Sequence, residues 1–382
     1  MSTTGRQSGD GAHDAASSLR EAGLVHLAPA ATGDAIAATG VLARALDAVD
    51  VPFQISVVQT PADAARATEA DRTVALGRAS PDADRTLGSG RPASVAAFEV
   101  ARSLDATITE SADVATLAAT GVVGAGEEPT DPIAEALEEA DIERRPGAAV
   151  PTADLADGLA HSTLVHAPFS GDPEAARATL TEHDAADPGD DEARRRTASV
   201  VALTAVDAAD ADTRAAMAVE DVLRPYAGGP FETVGGYADV LDAAVREQPG
   251  VAIALALGHD AVSEAALSAW RTHAERAHDA VRDATVRRHA GLVVADVDGP
   301  ASTVARLLRD FRSPEPLALV ADGDRAVLAA VPEYDARATL ESATASIEHT
   351  GDVIGDADRA HLTVSGATET LVAAVREVTA DA

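Results

Sequence analysis

Residues 25–46 read VHLAPAATGDAIAATGVLARAL, and this stretch decides the fold class. A short apolar strand over 24–28 leads into a loop of small residues, and the loop leads into a helix with Ile36, Leu42 and Leu46 at helical spacing. α/β enzymes position metal or phosphate ligands on a strand, loop and helix in this order. The loop carries one carboxylate, Asp34, where a metal site needs several.

Strand and helix patterns alternate along the rest of the chain. We predict strands at 53–58 and 73–77, a strand with its exit loop over 162–172, and helices at 61–70, 92–104, 113–123, 172–183 and 261–291, with a second α/β unit beyond. The order indicates an α/β fold with a parallel-sheet domain, a helical connector and a smaller α/β domain. The expected boundaries are a disordered tail over 1–19, the parallel-sheet domain over 20–185, the helical region with the connector helix over 186–290, and the smaller α/β domain over 291–382.

The composition indicates a folded protein with an acidic surface. The chain has 63 acidic residues against 30 basic ones, all arginine, for a net charge of −33. The acids are spread through periodic apolar segments, and at molar salt a Debye length of about 3 Å screens their repulsion. We interpret the charge as an adaptation to salt, with no bearing on function.

Several classes of protein are excluded or disfavoured by what the sequence lacks. There is no cysteine, which excludes disulfides, thiolate metal sites and cysteine nucleophiles. No apolar run reaches the roughly 18 residues that a membrane helix needs. The N-terminus has no hydrophobic signal region, so we expect a cytoplasmic protein that does not bind membranes.

Two segments resemble archaeal RecJ-like proteins of the DHH/DHHA1 phosphoesterase superfamily. Residues 30–37 resemble the superfamily's strand-loop-helix motif H-x-D-A-D-G-I-S-A, and residues 231–258 resemble a segment that normally contains LNACGR. The order of elements also matches, with the connector helix between a DHH-like and a DHHA1-like α/β domain. The resemblance implies a phosphoesterase or exonuclease that uses two divalent metal ions, Mn²⁺ or Mg²⁺.

The metal ligands that the resemblance implies are mostly replaced. The motif His falls on Ala30 and its first Asp on Thr32, so only Asp34 remains as a residual metal ligand. Gly77 stands where the second motif has an Asp, and no Asp-His-His tripeptide occurs in the chain. The segment 120–128 has no acid before Glu127.

Two further motifs are reduced in the same way. The glycine-rich motif of the second domain matches 355–363, where its His is Ala357. In the LNACGR segment only Arg246 is kept, with Asp242, Ala244 and Val245 in place of Asn, Cys and Gly. The four reduced metal motifs of the DHH-like domain together predict that the chain does not hold the two metals.

Other readings of single residues stay open. Asp34, just before a helix, is more often an N-cap than a metal ligand. His26 and His166 lie on predicted strands, where a lone histidine is usually a packed, hydrogen-bonded residue. His161, His166 and His183 are not spaced for one site.

Positive charge gathers in one part of the chain. The predicted connector helix carries Arg271, Arg276, Arg282, Arg287 and Arg288, and the resemblance places this helix along a nucleic-acid groove. Arginine forks bind phosphates well. The alternative is an ordinary helix with charge pairs such as Arg271–Glu275. We therefore predict a nucleic-acid or partner surface on these residues and Arg246.

The function expected from these observations is that of a RecJ-like protein without catalysis, with no cofactor. By its resemblance it would be a scaffold in DNA replication or repair, like the inactive RecJ-like subunit of the eukaryotic replicative helicase. Single-stranded nucleic acid and replisome proteins such as GINS are the expected partners. The alternatives are an active Mn²⁺- or Mg²⁺-dependent exonuclease or DHH phosphoesterase, and an unrelated α/β protein that binds a small anion.

Overall fold

The computed structural model describes residues 4–59, 69–78, 80, 82–187, 189–209, 211–345, 347, 351–364 and 368–380. The chain divides into two compact units. Unit 1 holds the residues up to Arg145, with Ala149–Ala153 and Pro225–Arg271. Unit 2 holds Pro146–Ala148, Asp154–Arg224 and the residues from Thr272 onward.

Strands lie in the first and last parts of the described chain, and the described residues between 93 and 283 form helices with no strand between them. The described helices are α1 (Thr4–Arg20), α2 (Gly33–Ala48), α3 (Ala93–Leu104), α4 (Ala112–Gly124), α5 (Ile133–Glu139), α6 (Leu155–His161), α7 (Pro173–Glu182), α8 (Asp191–Val206), α9 (Ala215–Glu220), α10 (Val234–Glu247), α11 (Pro249–Ala256), α12 (Ser263–Asp283), α13 (Ala301–Leu307), α14 (Ala336–Thr344) and α15 (Thr368–Ala380). The strands are β1 (Val25–Pro29), β2 (Phe53–Ile55), β3 (Arg72–Leu76), β4 (Arg85–Leu87), β5 (Thr285–His289), β6 (Leu292–Asp296), β7 (Leu317–Asp322), β8 (Arg325–Ala330), β9 (Ile354–Gly355) and β10 (Arg359–Thr363).

Unit 1 is built on a parallel sheet with the strand order β2-β1-β3-β4. β1 is buried along its whole length and α2 over twelve of its sixteen residues, so this strand and helix form the centre of the unit. The small residues of α2 allow close packing. A Cβ at Gly40 would lie 2.5 Å from the carbonyl oxygen of Ala256, so α2 and α11 meet backbone to backbone.

Unit 2 contains a mixed sheet in the order β5-β6-β7-β8-β10-β9. β6 and β7 are parallel, and every other neighbouring pair of these described strands is antiparallel. The central strands β6, β7 and β8 are buried over nearly their whole length, since α13 and α14 pack on β8 and α15 packs on β6. The α/β fold class and the two separate sheets are thereby confirmed.

The predicted disorder of residues 1–19 is wrong for the described part of that segment. α1 begins at Thr4 and ends at Arg20. Ala12, Ala15, Ala16 and Leu19 are buried, and they join the core of unit 1. Their spacing of three and four residues places them on one helix face, and packing of that face stabilises a helix whose surrounding sequence is polar.

The predicted helix over 261–291 is also too long. α12 ends at Asp283, and residues 285–289 form β5, which pairs antiparallel with β6 from Thr285↔Asp296 to His289↔Leu292. Thr285 and Val286 are β-branched and favour a strand. Pairing with the apolar strand β6 then outweighs the helical charge pattern.

Residues 162–172 do not form the predicted strand. Pro168 interrupts the segment, and the free backbone groups bond to side chains of the same unit. His278 Nε2 lies 3.0 Å from the carbonyl oxygen of Ser162, and Arg306 donates to the carbonyl of Thr163 at 2.7 Å. Residues 154–185 therefore pack with the C-terminal half of the chain rather than with residues 20–153, as the expected boundaries had them.

The predicted helix over 61–70 lies for the most part outside the described residues. Among the residues that the structure describes, none of the helices combines the length and the apolar character that crossing a lipid bilayer requires.

Candidate functional site

The loop between β1 and α2 is held by its own backbone and by Thr32. The amide of Ala30 donates to the carbonyl of Leu76 at 2.9 Å, which continues the sheet past the end of β1. Thr32 is the N-cap of α2, and its Oγ1 accepts a hydrogen bond from the amide of Ala35 at 3.3 Å. The positions that match the motif His and first Asp thus hold an alanine at the carboxyl end of an interior strand and a helix cap.

Asp34 is bonded to the start of α3. Its Oδ2 accepts from the amide of Ala93 at 2.7 Å, and its Oδ1 accepts from the amide and hydroxyl of Ser94 at 2.9 and 2.6 Å. The interpretation of Asp34 as the cap of the helix that it precedes is wrong, because Thr32 caps α2 and Asp34 caps α3. Both carboxylate oxygens are engaged, so a metal ion would compete with these donors.

The remaining space around Asp34 is filled by small residues. Gly77 directly follows β3 and has a φ of 71°, and a Cβ there would lie 2.8 Å from the Cβ of Ala35. A Cβ at Gly121 would lie 2.6 Å from the Cβ of Ser94 and 2.9 Å from Oδ1 of Asp34. Real Cβ atoms do not approach this closely, so an aspartate cannot replace Gly77 unless α2 moves.

These residues do not fit a two-metal centre. Such a centre needs several carboxylates and imidazoles around two cations. Ala30, Thr32 and Gly77 offer at most a hydroxyl, and Asp34 is already bonded. Within the described ranges, no group of three or more histidine, aspartate or glutamate side chains is placed to hold a metal ion.

The segment that resembles LNACGR packs against the same loop. Asp242 on α10 accepts a hydrogen bond from the amide of Gly33 at 3.0 Å. Arg246, one turn later, donates to both carboxylate oxygens of Asp242 at 3.0 Å. The Arg246 side chain is only 14 % exposed. Arg246 therefore positions Asp242, which in turn bonds to the start of α2. Little of the Arg246 side chain is accessible to a binding partner.

In unit 2 the segment that matches the glycine-rich motif forms an ion-pair network. Arg309 is buried, bonds to Asp310 at 2.6 Å, and also pairs with Asp358. Burial alone would lower the pKa of Arg309, but the charges of Asp310 and Asp358 outweigh it and raise that pKa. Asp358 also accepts from Arg359 at 2.9 Å. Asp310 and Asp358 thus pair with Arg309 and Arg359, and phosphates would have to compete with these carboxylates for the two guanidinium groups.

The predicted arginine cluster does not lie on one helix. Arg271, Arg276 and Arg282 are on α12, whereas Arg287 and Arg288 are on β5. Several have carboxylate partners: Arg271–Glu264 at 3.3 Å, Arg282–Asp279, Arg287–Glu369, Arg287–Asp296 at 3.2 Å and Arg288–Glu315 at 2.6 Å. Arg288 is the most exposed of these paired arginines, with 63 % of its side chain accessible.

A histidine pair in unit 2 has no counterpart in the sequence predictions. The Nδ1 atoms of His166 and His278 lie 3.1 Å apart and the rings stack at 5.3 Å. His278 is fully buried, and burial followed by the nearby His166 lowers its pKa well below the usual value. His166 and His278 are 112 residues apart, so no local pattern could reveal the pair.

Comparison with known proteins places the chain in a family. It is 53 % identical over 380 residues to "Uncharacterized protein rrnAC1427" of Haloarcula marismortui, covering 99 % of this chain and all of that protein. The family model for the C-terminal domain of that protein matches residues 284–377.

Solved structures share the fold at low sequence identity. RecJ of Thermus thermophilus in complex with Mn²⁺ matches 98 % of this chain with a TM-score of 0.52 and 14 % identity, and the chain spans 55 % of that protein's length. CDC45 of Entamoeba histolytica matches with a TM-score of 0.58 and 10 % identity over 97 % of this chain and 99 % of that one. The DHH domain of PF0399 matches with a TM-score of 0.56 and 13 % identity over 99 % and 92 %. The chain thus belongs to the family of rrnAC1427 and has the RecJ-like fold of the DHH superfamily.

Proposed function

We propose that the chain is a RecJ-like protein that has lost catalysis and acts in the cytoplasm as a scaffold for nucleic acid or for replisome proteins such as GINS. The loss of catalysis is supported by the packing at the metal-motif positions. Ala35 leaves no room for a side chain at position 77, and Asp34 is hydrogen-bonded to the start of α3. The scaffold role rests on a fold kept over both units, one that CDC45 shares.

A nuclease assay tests the loss of catalysis. We expect no degradation of labelled single-stranded DNA or RNA with Mn²⁺ at about 1 M KCl, a salt concentration that screens the surface charge. An active enzyme would give a metal-dependent product that disappears in Asp34→Ala. That result would replace the proposal by the alternative, a Mn²⁺-dependent exonuclease or DHH phosphoesterase.

Arg287 and Arg288 remain the best place to test a partner surface, since β5 lies at an edge of its sheet. Charge reversal would set a new carboxylate against Glu369, Asp296 or Glu315, so neutral glutamine is the better replacement. Exposed pairs of this kind contribute about 0.2–1 kcal/mol to stability, and therefore a large effect must come from binding.

The experiment is co-purification from a native lysate at high salt. Arg287→Gln/Arg288→Gln should recover less of the proteins or nucleic acid that the wild type retains. Arg337→Gln is the matched control, because Arg337 also pairs with an exposed glutamate of unit 2, Glu341 at 2.7 Å. Equal recovery by all three proteins would place the binding surface elsewhere. Nucleic-acid affinity falls steeply with salt, so binding that survives molar KCl favours a protein partner.

A further inference from the structure

Exposed apolar side chains are concentrated on two neighbouring helices of unit 2, α8 and α9. Among the described residues, five large apolar side chains are exposed, and three of them are Leu203, Val206 and Met217. Leu203 is 63 % exposed and Met217 is 73 % exposed. α8 and α9 pack against each other, so these side chains belong to one helix pair. A single exposed apolar residue is ordinary, but such a group on the surface of so acidic a chain indicates an interaction site.

The outward side of α8 carries a ridge whose residue pattern is complementary to itself in reverse. The buried residues of α8 lie on its other side, at positions 197, 200, 201 and 205. Four exposed residues follow one another at intervals of four, which places them in one row along the helix. This ridge consists of Arg195, Ser199, Leu203 and Asp207. It therefore has a cation at one end, an anion at the other, and a small and a large residue between them.

A second copy of α8 that crosses this ridge antiparallel meets it with matching residues. With a two-fold axis near position 201, Arg195 faces Asp207 of the other copy, and Leu203 faces the other copy's Ser199. The symmetry repeats each contact, so one dimer has two of each. Ser199 leaves room for Leu203 because it is small. Its hydroxyl already donates to the carbonyl of Arg195 at 2.8 Å, so covering it leaves no donor without a partner.

The charges of α8 favour the same antiparallel neighbour. Arg194 pairs with Asp191 at 3.1 Å, whereas none of the ion pairs between described residues includes Arg195. The last turn of α8 has no basic residue, and Asp207 follows it at the negative end of the helix dipole. A cation is favourable at that end of a helix. Arg195 of a second, antiparallel copy would supply this cation.

We propose that the outward side of α8 is a dimer interface, on which a second copy of this chain packs antiparallel around Leu203. At molar salt a Debye length of about 3 Å screens the repulsion between two acidic chains, while burial of apolar surface still favours association. α8 has sixteen residues and is about 24 Å long, so the interface is small and the dimer is reversible. The proposal goes beyond the scaffold function and is tested on the purified chain, so either can fail without the other.

Sedimentation velocity at constant high KCl and rising protein concentration tests the dimer. We expect the mean mass to rise from that of one chain towards that of two. Leu203→Glu should raise the dissociation constant at least about tenfold, because each dimer loses two buried leucines. Tyr334→Glu is the matched control, since Tyr334 is an exposed apolar residue of unit 2 outside α8 and α9. This control should dimerise as the wild type does.

Charge exchange tests whether the occupant is a second copy. Arg195→Asp and Asp207→Arg should each weaken self-association by about 2- to 30-fold, because each dimer loses two exposed ion pairs. The double variant should restore self-association, since opposite charges face each other again. For the same reason, a mixture of the two single variants should form a mixed dimer. These exposed substitutions decide the result if circular dichroism shows that Leu203→Glu has lost its helices.

The proposal is overturned if the wild type remains a monomer, or if folded Leu203→Glu dimerises as well as the wild type. It is also overturned if neither the double variant nor the mixture recovers the dimer. A monomeric wild type that retains a lysate protein lost by Leu203→Glu would assign this face to a different protein.

Discussion

The His166–His278 pair predicts that the folded protein loses stability in mild acid. The Nδ1 atoms lie 3.1 Å apart, so one ring donates a hydrogen bond and the other accepts it. Only one of the two Nδ1 atoms can therefore carry a proton. Burial, His166 and the charges of Arg282 and Arg306 all lower the pKa of His278, while the Ser162 carbonyl opposes them. The folded state therefore keeps His278 neutral at a pH where the unfolded chain protonates it.

The size of the effect follows from proton linkage. The pKa of His278 is lower in the folded state than the 6.5 of the unfolded chain, so below that pH the unfolded state binds the extra proton. Stability from this group is present at neutral pH and lost as the pH falls below 6.5. Between about pH 7 and about pH 5.5 one such histidine removes about 1.3 kcal/mol from the free energy of unfolding. Carboxylates titrate mainly below this window, near about pH 4.

The assay is urea unfolding at constant high KCl, followed by circular dichroism, at both pH values for the wild type and His278→Gln. We expect the wild type to lose about 1.3 kcal/mol more than His278→Gln between them, whatever the absolute stability of the variant. His183 is exposed, and His183→Gln should keep the wild-type dependence. If His278→Gln showed the same pH dependence as the wild type, the argument from the buried pair would be refuted.

Three further predictions concern the loop after β1, the end of β3 and the acidic surface. Asp34→Ala removes the bonds that cap α3 and should lower the free energy of unfolding by about 1–2 kcal/mol in urea titrations; an unchanged midpoint would mean that the cap contributes nothing. Gly77→Ala should cost about 1–3 kcal/mol. Gly90→Ala should cost less, because Gly90 has a φ of 77° but no described atom within 4 Å of a Cβ, so equal losses would show that the contact with Ala35 is unimportant. At about 50 mM salt, circular dichroism should show unfolding, since repulsion among the acids is poorly screened there; unchanged helicity would contradict the salt adaptation.

Local patterns in the sequence were sufficient for most of the sheet and helix order. The apolar run and helical spacing of residues 25–46 predicted β1 and α2, and residues 92–104 predicted α3 within one residue. Each of these segments has one strong period and a clear start, so its structure depends little on distant contacts. The same residues showed that the motif positions at 30, 32 and 77 lack metal ligands.

The sequence by itself determined the α/β fold class, most of the order of elements and the lack of ligand-type side chains at positions 30 and 77, because these follow from residue type and from short local periods. Tertiary structure decided the rest. β5 formed where a helical charge pattern continued, since β6 offered a strand to pair with. Asp34 capped α3 rather than α2, and His166 met His278, because those partners lie 59 and 112 residues away.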